Sequence, residues 1–342
     1  MRGVARFAWA TLCFNVAVVR WGAYVRATGS GAGCGNQWPD CGGVLDTGAN
    51  EQTIIEFAHR ITSGIALLMV AILLFWCWRA TSKGHWARYS AALSAAFLVN
   101  EALLGAALVL LGHVAQDQSA GRILLLCLHF GNTLLLLATF ALTADWLQSG
   151  RGKFTLIQKR TAVSAVVVGL LAVLAIGTTG AVAALSDTLF PATSLRASVL
   201  QDFSSNNPAL LHLRLLHPVL AVIAGIYVIW VVLKSASRRM CQSRASMVLV
   251  ILLFTEIGIG MLNVLLLAPV WLQILHLLVA DTIWISLVLA SAALVLEYPD
   301  ARTGRVAEAS HGVSKLNGIP WCSTKGSSSS AGSCLRGDKF ET

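Results

Sequence analysis

Long apolar runs and short polar joints alternate along the chain. The runs lie near Arg6–Val25, Ile54–Trp78, Trp86–Leu111, Ile123–Leu147, Thr161–Leu185, Ala209–Leu233, Ala245–Leu267 and Val270–Leu296. Each approaches the ~20 residues that an α-helix needs to cross a ~30 Å hydrocarbon core. Their apolar positions do not alternate with polar ones, which argues against the strands of a membrane barrel. The pattern predicts an all-α integral membrane protein with eight transmembrane helices. Met1 to Val19 has the look of a signal peptide, with Arg2 and Arg6 ahead of an apolar core. No small-residue cleavage site follows, and the run continues through Tyr24, so a retained first helix is expected.

Orientation is read from lysine and arginine in the joints. Arg2 and Arg6, then Arg79, Lys83 and Arg88, then Arg151, Lys153, Lys159 and Arg160, then Lys234, Arg238, Arg239 and Arg244 all fall on one side. The opposite joints hold little beyond Arg26, Arg122 and Arg196. Both termini are therefore expected in the cytoplasm, at the cell (plasma or inner) membrane. Two outer joints are long, about Arg26–Thr53 and Ser186–Pro208, and ordered loops of that length usually cover something. The tail from about Pro299 contains a glycine-flanked serine run, Ser327 to Ser330, and reads as disordered.

Residues 1–150 and 151–298 repeat one order: long outer loop, helix with an early histidine, helix with an internal glutamate, helix with an early histidine. Glu101-Ala-Leu-Leu-Gly105 matches Glu256-Ile-Gly-Ile-Gly260. The expected architecture is two pseudo-symmetric four-helix bundles, followed by a cytoplasmic tail over 299–342.

Composition agrees: 56% of residues are hydrophobic and 12% charged, too apolar for an ordinary soluble domain. The net charge of +9 sits in the joints of one membrane side, so it points to the lipid surface and not to nucleic acid. Of eight cysteines only Cys34 and Cys41 share a polar loop, and no CxxC or zinc spacing occurs.

The chemistry lies in the histidines. His59, His129, His217 and His276 each fall about five to nine residues into an even-numbered run, at matched depth near the outer leaflet. His212 competes with His217, but five residues turn a helix by about 140°, so the two do not share a face. His217 is favoured, with Pro218 loosening the helix beside it. One buried histidine is as readily a polar helix contact as a ligand. Four at one depth, one per even helix, fit two imidazole pairs, each able to clasp a haem iron: His59 with His129, and His217 with His276. Zinc fits less well, because no cysteine or carboxylate completes a tetrahedral set.

The two halves differ beside these residues. The first reads Glu56-x-x-His59 and the second Arg214-x-x-His217. Residues three apart share a helical face. An intramembrane carboxylate is a functional candidate by default; near a porphyrin it can move protons or stabilise a developing cation. A guanidinium suits a haem propionate. The plain reading of Glu56 is an ion pair with Arg60.

Taken together, Arg26-Ala-Thr-Gly-Ser-Gly-Ala-Gly-Cys34, Trp38-Pro39-Asp40-Cys41, Glu56-Phe-Ala-His59-Arg60 and Leu272-Gln-Ile-Leu-His276-Leu-Leu-Val-Ala-Asp281 resemble the haem A synthase family over about residues 5–297. The resemblance implies oxidation of a ring methyl of haem O to a formyl group, giving haem A for terminal oxidases by successive hydroxylations and loss of water. It implies that His59 and His129 bracket the substrate haem, with Glu56 catalytic beside it, and that His217 and His276 ligate the cofactor haem b. Cys34 and Cys41 match the family's outer-loop pair, as a disulfide or as a carrier of reducing equivalents; the oxidising side permits a disulfide. Some members carry a second cysteine pair, whereas Ser186–Pro208 has no cysteine. Glu101 and Glu256 are expected to serve helix–helix hydrogen bonding.

Haem O carries a long isoprenoid tail, so a site open to the bilayer is expected. The implied partners are haem O, a haem O synthase and an electron donor whose identity the sequence leaves open, as it does a homo-oligomer. Two other classes remain: a dihaem electron-transfer protein of cytochrome b type, which leaves Glu56 unexplained, and a paired-repeat transporter, which needs matching helix breaks. Pro218 has no counterpart in the first half.

Overall fold

The computed structural model describes residues 1–42, 49–156, 160–204, 207–236 and 240–297. The tail over 299–342 with its serine run, and the joint residues Lys159, Arg238 and Arg239, lie outside the described residues. The apolar runs become α1 (Arg2–Ala27), α2 (Glu51–Ala80), α3 (Trp86–Leu110), α4 (Ala120–Ser149), α5 (Arg160–Leu189), α7 (Ala209–Arg214) with α8 (Leu216–Ala236), α9 (Met240–Leu265) and α10 (Val270–Val295). A short helix, α6 (Leu195–Phe203), lies in the outer joint before α7.

Seven of the runs form helices long and apolar enough to cross a membrane, counting α7 and α8 as one. The chain is a helical, multi-pass membrane protein. The sequence pattern predicts eight spans, and α1 is the one outside this set. It has 26 residues, but Arg2, Arg6, Arg20 and Arg26 dilute its apolar run.

Local signals fix the helix ends. The Asn50 side chain accepts the Thr53 N–H at 2.8 Å and opens α2. Ser119 and Ser194 cap α4 and α6 in the same way, each satisfying a donor that the first helical turn leaves open. Past α4 the chain turns at Gly150, whose φ of 68° is left-handed. The sixth run breaks between Arg214 and Leu216. Pro218 has no N–H to offer the Arg214 carbonyl four residues back, and its ring crowds that turn. One pairing was not legible in sequence: β1 (Thr155–Leu156) lies antiparallel to β2 (Leu296–Glu297), with Thr155 opposite Glu297.

Helix α1 packs along α2 and α4, α3 on α4, α5 on α7 and α8, and α9 on α8 and α10; α4, α5, α10 and α1 meet one another across the middle. Val4, Ala8, Leu12, Val70, Leu73, Leu137, Phe140 and Trp284 fill the main core. Small hydroxyls lock neighbouring helices. Ser90 donates to the Thr139 carbonyl at 2.8 Å and Ser94 bonds the Thr139 hydroxyl at 3.0 Å, as close-packed membrane helices favour. Large apolar side chains such as Leu68, Phe75, Leu103, Leu171 and Ile226 point outward, where lipid tails would meet them.

Polar ties cross the middle. The Trp284 indole N–H of α10 donates to the Leu134 carbonyl of α4 at 2.6 Å. Arg26, at the end of α1, donates to the Ala184 carbonyl at 2.6 Å, the Thr188 hydroxyl at 2.7 Å and the Gln273 side chain at 3.0 Å. Arg20 of α1 lies 3.4 Å from the buried carboxylate of Asp281 on α10.

Candidate functional site

The N-terminal end of α2 carries the first candidate group. Glu56 is 3% exposed. Its Oε2 accepts the Cys34 backbone N–H at 2.8 Å, and its Oε1 meets Arg60 at 2.6 Å. Arg60 also donates to the Gln37 carbonyl at 2.6 Å and to the Asp40 carbonyl. The ion pair allowed as the plain reading of Glu56 is therefore present, and the carboxylate also holds the outer loop. Cys34 and Cys41 form a disulfide with Cα atoms 4.8 Å apart. Thr53 donates to the Gly33 carbonyl at 2.7 Å. A Cβ on Gly33 would fall 2.5 Å from the Gln52 backbone, so only glycine lets this loop lie on α2.

Arg214 is the corresponding anchor of the second half. Its guanidinium pairs with Asp187 at 2.8 Å and Asp202 at 2.5 Å, and takes the Ser198 hydroxyl at 3.0 Å. It thereby binds α7 to the end of α5 and to α6.

The four histidines share one construction. Each imidazole lies against a glycine of the preceding long helix. A Cβ on Gly22 of α1 would sit 3.0 Å from His59, and one on Gly180 of α5 would sit 3.0 Å from His217. On α9, a Gly260 Cβ would come within 3.2 Å of His276; on α3, a Gly105 Cβ would lie 3.9 Å from His129. At Gly22, Gly180 and Gly260 bare backbone makes room for the ring, whereas at Gly105 a Cβ would meet His129 in ordinary contact.

His217 and His276 face each other with ring centroids 6.2 Å apart and planes 81° apart. Two metal–imidazole bonds of about 2 Å, with roughly 1 Å more from each nitrogen to its ring centre, span about 6 Å. The pair therefore has the spacing of two axial ligands on one iron. His212 instead bonds the Asp202 carbonyl through Nδ1 at 2.8 Å, in line with the preference for His217.

Glu101 and Glu256 do more than spacing alone revealed. Glu101 bonds Asn132 and Thr133 across the α3–α4 seam, the helix–helix role expected of it. Its Oε1 also lies 2.9 Å from His129 Nδ1. Glu256 Oε1 lies 3.2 Å from His276 Nδ1. The shared Glu-x-x-x-Gly spacing on α3 and α9 was the available signal: glutamate and glycine, four residues apart on one face, meet the same ring. Among the described residues no cluster of three or more histidine, cysteine or acidic side chains has the form of an ordinary metal-ion site.

This is a multi-pass helical membrane protein with paired imidazoles inside its bundle, each set against glycine. The chain belongs to the family described as cytochrome oxidase assembly protein (COX15-CtaA), which matches residues 5–53 and 46–288. It is 46% identical over 228 residues to a protoheme IX farnesyltransferase of Thermus thermophilus, covering 66% of this chain and 37% of that protein. It is 40% identical over 142 residues to a heme A synthase of Geobacillus kaustophilus, covering 41% and 42%. A heme A synthase of Halalkalibacterium halodurans is 39% identical over 142 residues, covering 41% and 45%. The chain thus spans less than half the length of these relatives.

Proposed function

We propose that this chain is a haem A synthase, a membrane oxidoreductase that converts a ring methyl of haem O to a formyl group. The observation that carries the reading is the facing His217–His276 pair at iron-clasping distance, inside a family whose heme A synthase relatives match this chain. In this reading α1 is the eighth span. Residues 1–150 and 151–298 are two pseudo-symmetric four-helix halves meeting along α1, α4, α5 and α10, with both termini in the cytoplasm and the helices in the cell membrane. The matched glycine–histidine contacts support that symmetry.

His217 and His276 would hold the cofactor haem b, which would supply one-electron redox chemistry. His59 and His129 would hold the substrate haem O, on the helix turn next to Glu56 in the case of His59. Glu56 stabilises positive charge developing at the ring methyl; Arg60 and the Cys34 N–H keep its carboxylate oriented. The Cys34–Cys41 disulfide ties the loop that covers this end. Arg214 would be the contact for a propionate of the second haem, shared with Asp187 and Asp202, which already engage it.

A farnesyl-bearing haem is delivered most directly by the enzyme that attaches the tail. The Thermus relative, named a protoheme IX farnesyltransferase, matches this chain over only 37% of its length. That supports a haem O synthase as the partner here.

The test is to express the full chain with a haem O synthase in a host that lacks haem A, extract the pigments and separate them by chromatography. Haem A is the expected product. Haem O alone, with haem b retained in the protein, overturns the reading in favour of a dihaem electron carrier.

A further inference from the structure

The four imidazoles are not gripped equally. His129 and His276 each present Nδ1 to a carboxylate, at 2.9 Å from Glu101 and 3.2 Å from Glu256. His217 Nδ1 lies 3.1 Å from the Ile176 carbonyl. The carboxylate contacts of His129 and His276 are charge contacts that fall outside hydrogen-bond alignment, and His59 Nδ1, buried like theirs, has neither a hydrogen bond nor a carboxylate contact among the described residues. The halves therefore differ in one respect. The second half sets a carboxylate or a carbonyl beside both Nδ1 atoms, and the first sets one beside His129 alone.

A metal-binding histidine is fixed by what its other nitrogen meets. A carboxylate there sets the tautomer, aims Nε2 and makes the ring a stronger donor; a carbonyl does the same more weakly. A ring without such a partner keeps its tautomer and rotation open. Glu101 is itself locked by Asn132 and Thr133, and Asn132 is fixed by Asn100 at 2.8 Å and the Phe97 carbonyl at 2.9 Å. The brace on His129 is thus a built network reaching from α3 to α4.

We propose that Glu101 and Glu256 are positioning residues that make His129 and His276 the firm axial ligands, and that His59 is the ligand that yields. The first half then holds its haem from one side and opens the other, as an exchanging substrate requires. The second half keeps its haem closed on both sides, as a resident electron carrier requires. This rests on reading the four histidines as haem ligands.

Carbon monoxide tests it on the reduced full-length protein, because the gas binds ferrous haem only where an axial ligand gives way. His217→Ala with His276→Ala, which leaves only the first pair, should bind carbon monoxide. His59→Ala with His129→Ala, which leaves only the second pair, should not. His59→Ala should keep first-site haem that His129→Ala loses. Glu101→Gln should weaken first-site haem retention about 10–100-fold, with recovery in Glu101→Asp. Glu256→Gln should raise the midpoint potential of the second haem without changing haem content, since a weaker donor favours ferrous iron. Equal carbon monoxide binding at both sites, or equal haem loss in His59→Ala and His129→Ala, overturns the inference. Wild-type haem content in all four histidine variants overturns the ligand reading beneath it. Wild-type carbon monoxide binding needs no substitution, so a variant that misfolds does not protect the proposal.

Discussion

The segments before and after residue 150 set their histidines against glycine alike and anchor the helices that carry them by opposite means. In the first half an acid, Glu56, gathers Arg60 and the Cys34 N–H. In the second a base, Arg214, gathers Asp187 and Asp202. Helix α2 runs unbroken from Glu51 to Ala80, whereas its counterpart breaks at Leu215 into α7 and α8. The first loop adds a disulfide; the second adds a helix. What recurs is the part that places imidazoles. What diverges is the cover over them.

The largest expected effect lies in the shared frame. His276→Ala should lose most of the second haem and retain the first, halving the pyridine haemochrome signal per protein. Unchanged haem content would end its assignment as a ligand. Next comes the divergent acid. Glu56→Ala should keep both haems and lose formyl production, read as haem A in extracted pigment; normal yield refutes its role. Arg214→Ala gives the contrast. It strands two carboxylates at the outer end, at a cost of about 1–3 kcal/mol, and should lower the melting temperature while haem A is still made.

A smaller effect separates the two readings of the cysteine pair. Cys34→Ser with Cys41→Ser removes a short cross-link, worth about 2–3 kcal/mol. A structural disulfide predicts a lower melting temperature with product still formed. A redox role predicts lost product that added thiol does not restore. The smallest effect lies at the opposite end of the bundle. His85 caps α3 by accepting the Ala87 N–H at 3.2 Å, which requires a neutral ring. Burial, and then Arg88, hold its pKa below the usual 6.5. Its contribution is therefore present above pH 6.5 and lost as pH falls through the lowered value. His85→Asn, which keeps an acceptor, should flatten that limb of a melting-temperature profile.

Much of this was legible because membrane helices announce themselves. An apolar run near 20 residues has few alternatives, and the break at Arg214 followed from Pro218. The histidine set was legible from depth alone, since rise along a helix is fixed at about 1.5 Å per residue. The contacts of Glu101 and Glu256 with histidine were not, because spacing does not state how one helix is rotated against another. The same limit hid the orientation of Glu56 toward Cys34. The β1–β2 pairing involves two residues on each side, too few for any periodicity. For α1 the difference is one of composition: Arg20 and Arg26 serve contacts inside the bundle and, with the exposed Arg2 and Arg6, dilute the apolar signal.

Arg26 shows what those contacts cost in modularity. Its guanidinium leaves the last turn of α1 and finds acceptors on α5 and α10, both from the other half. A gene trimmed to its first four helices would strand a cation inside a bundle with nothing to receive it.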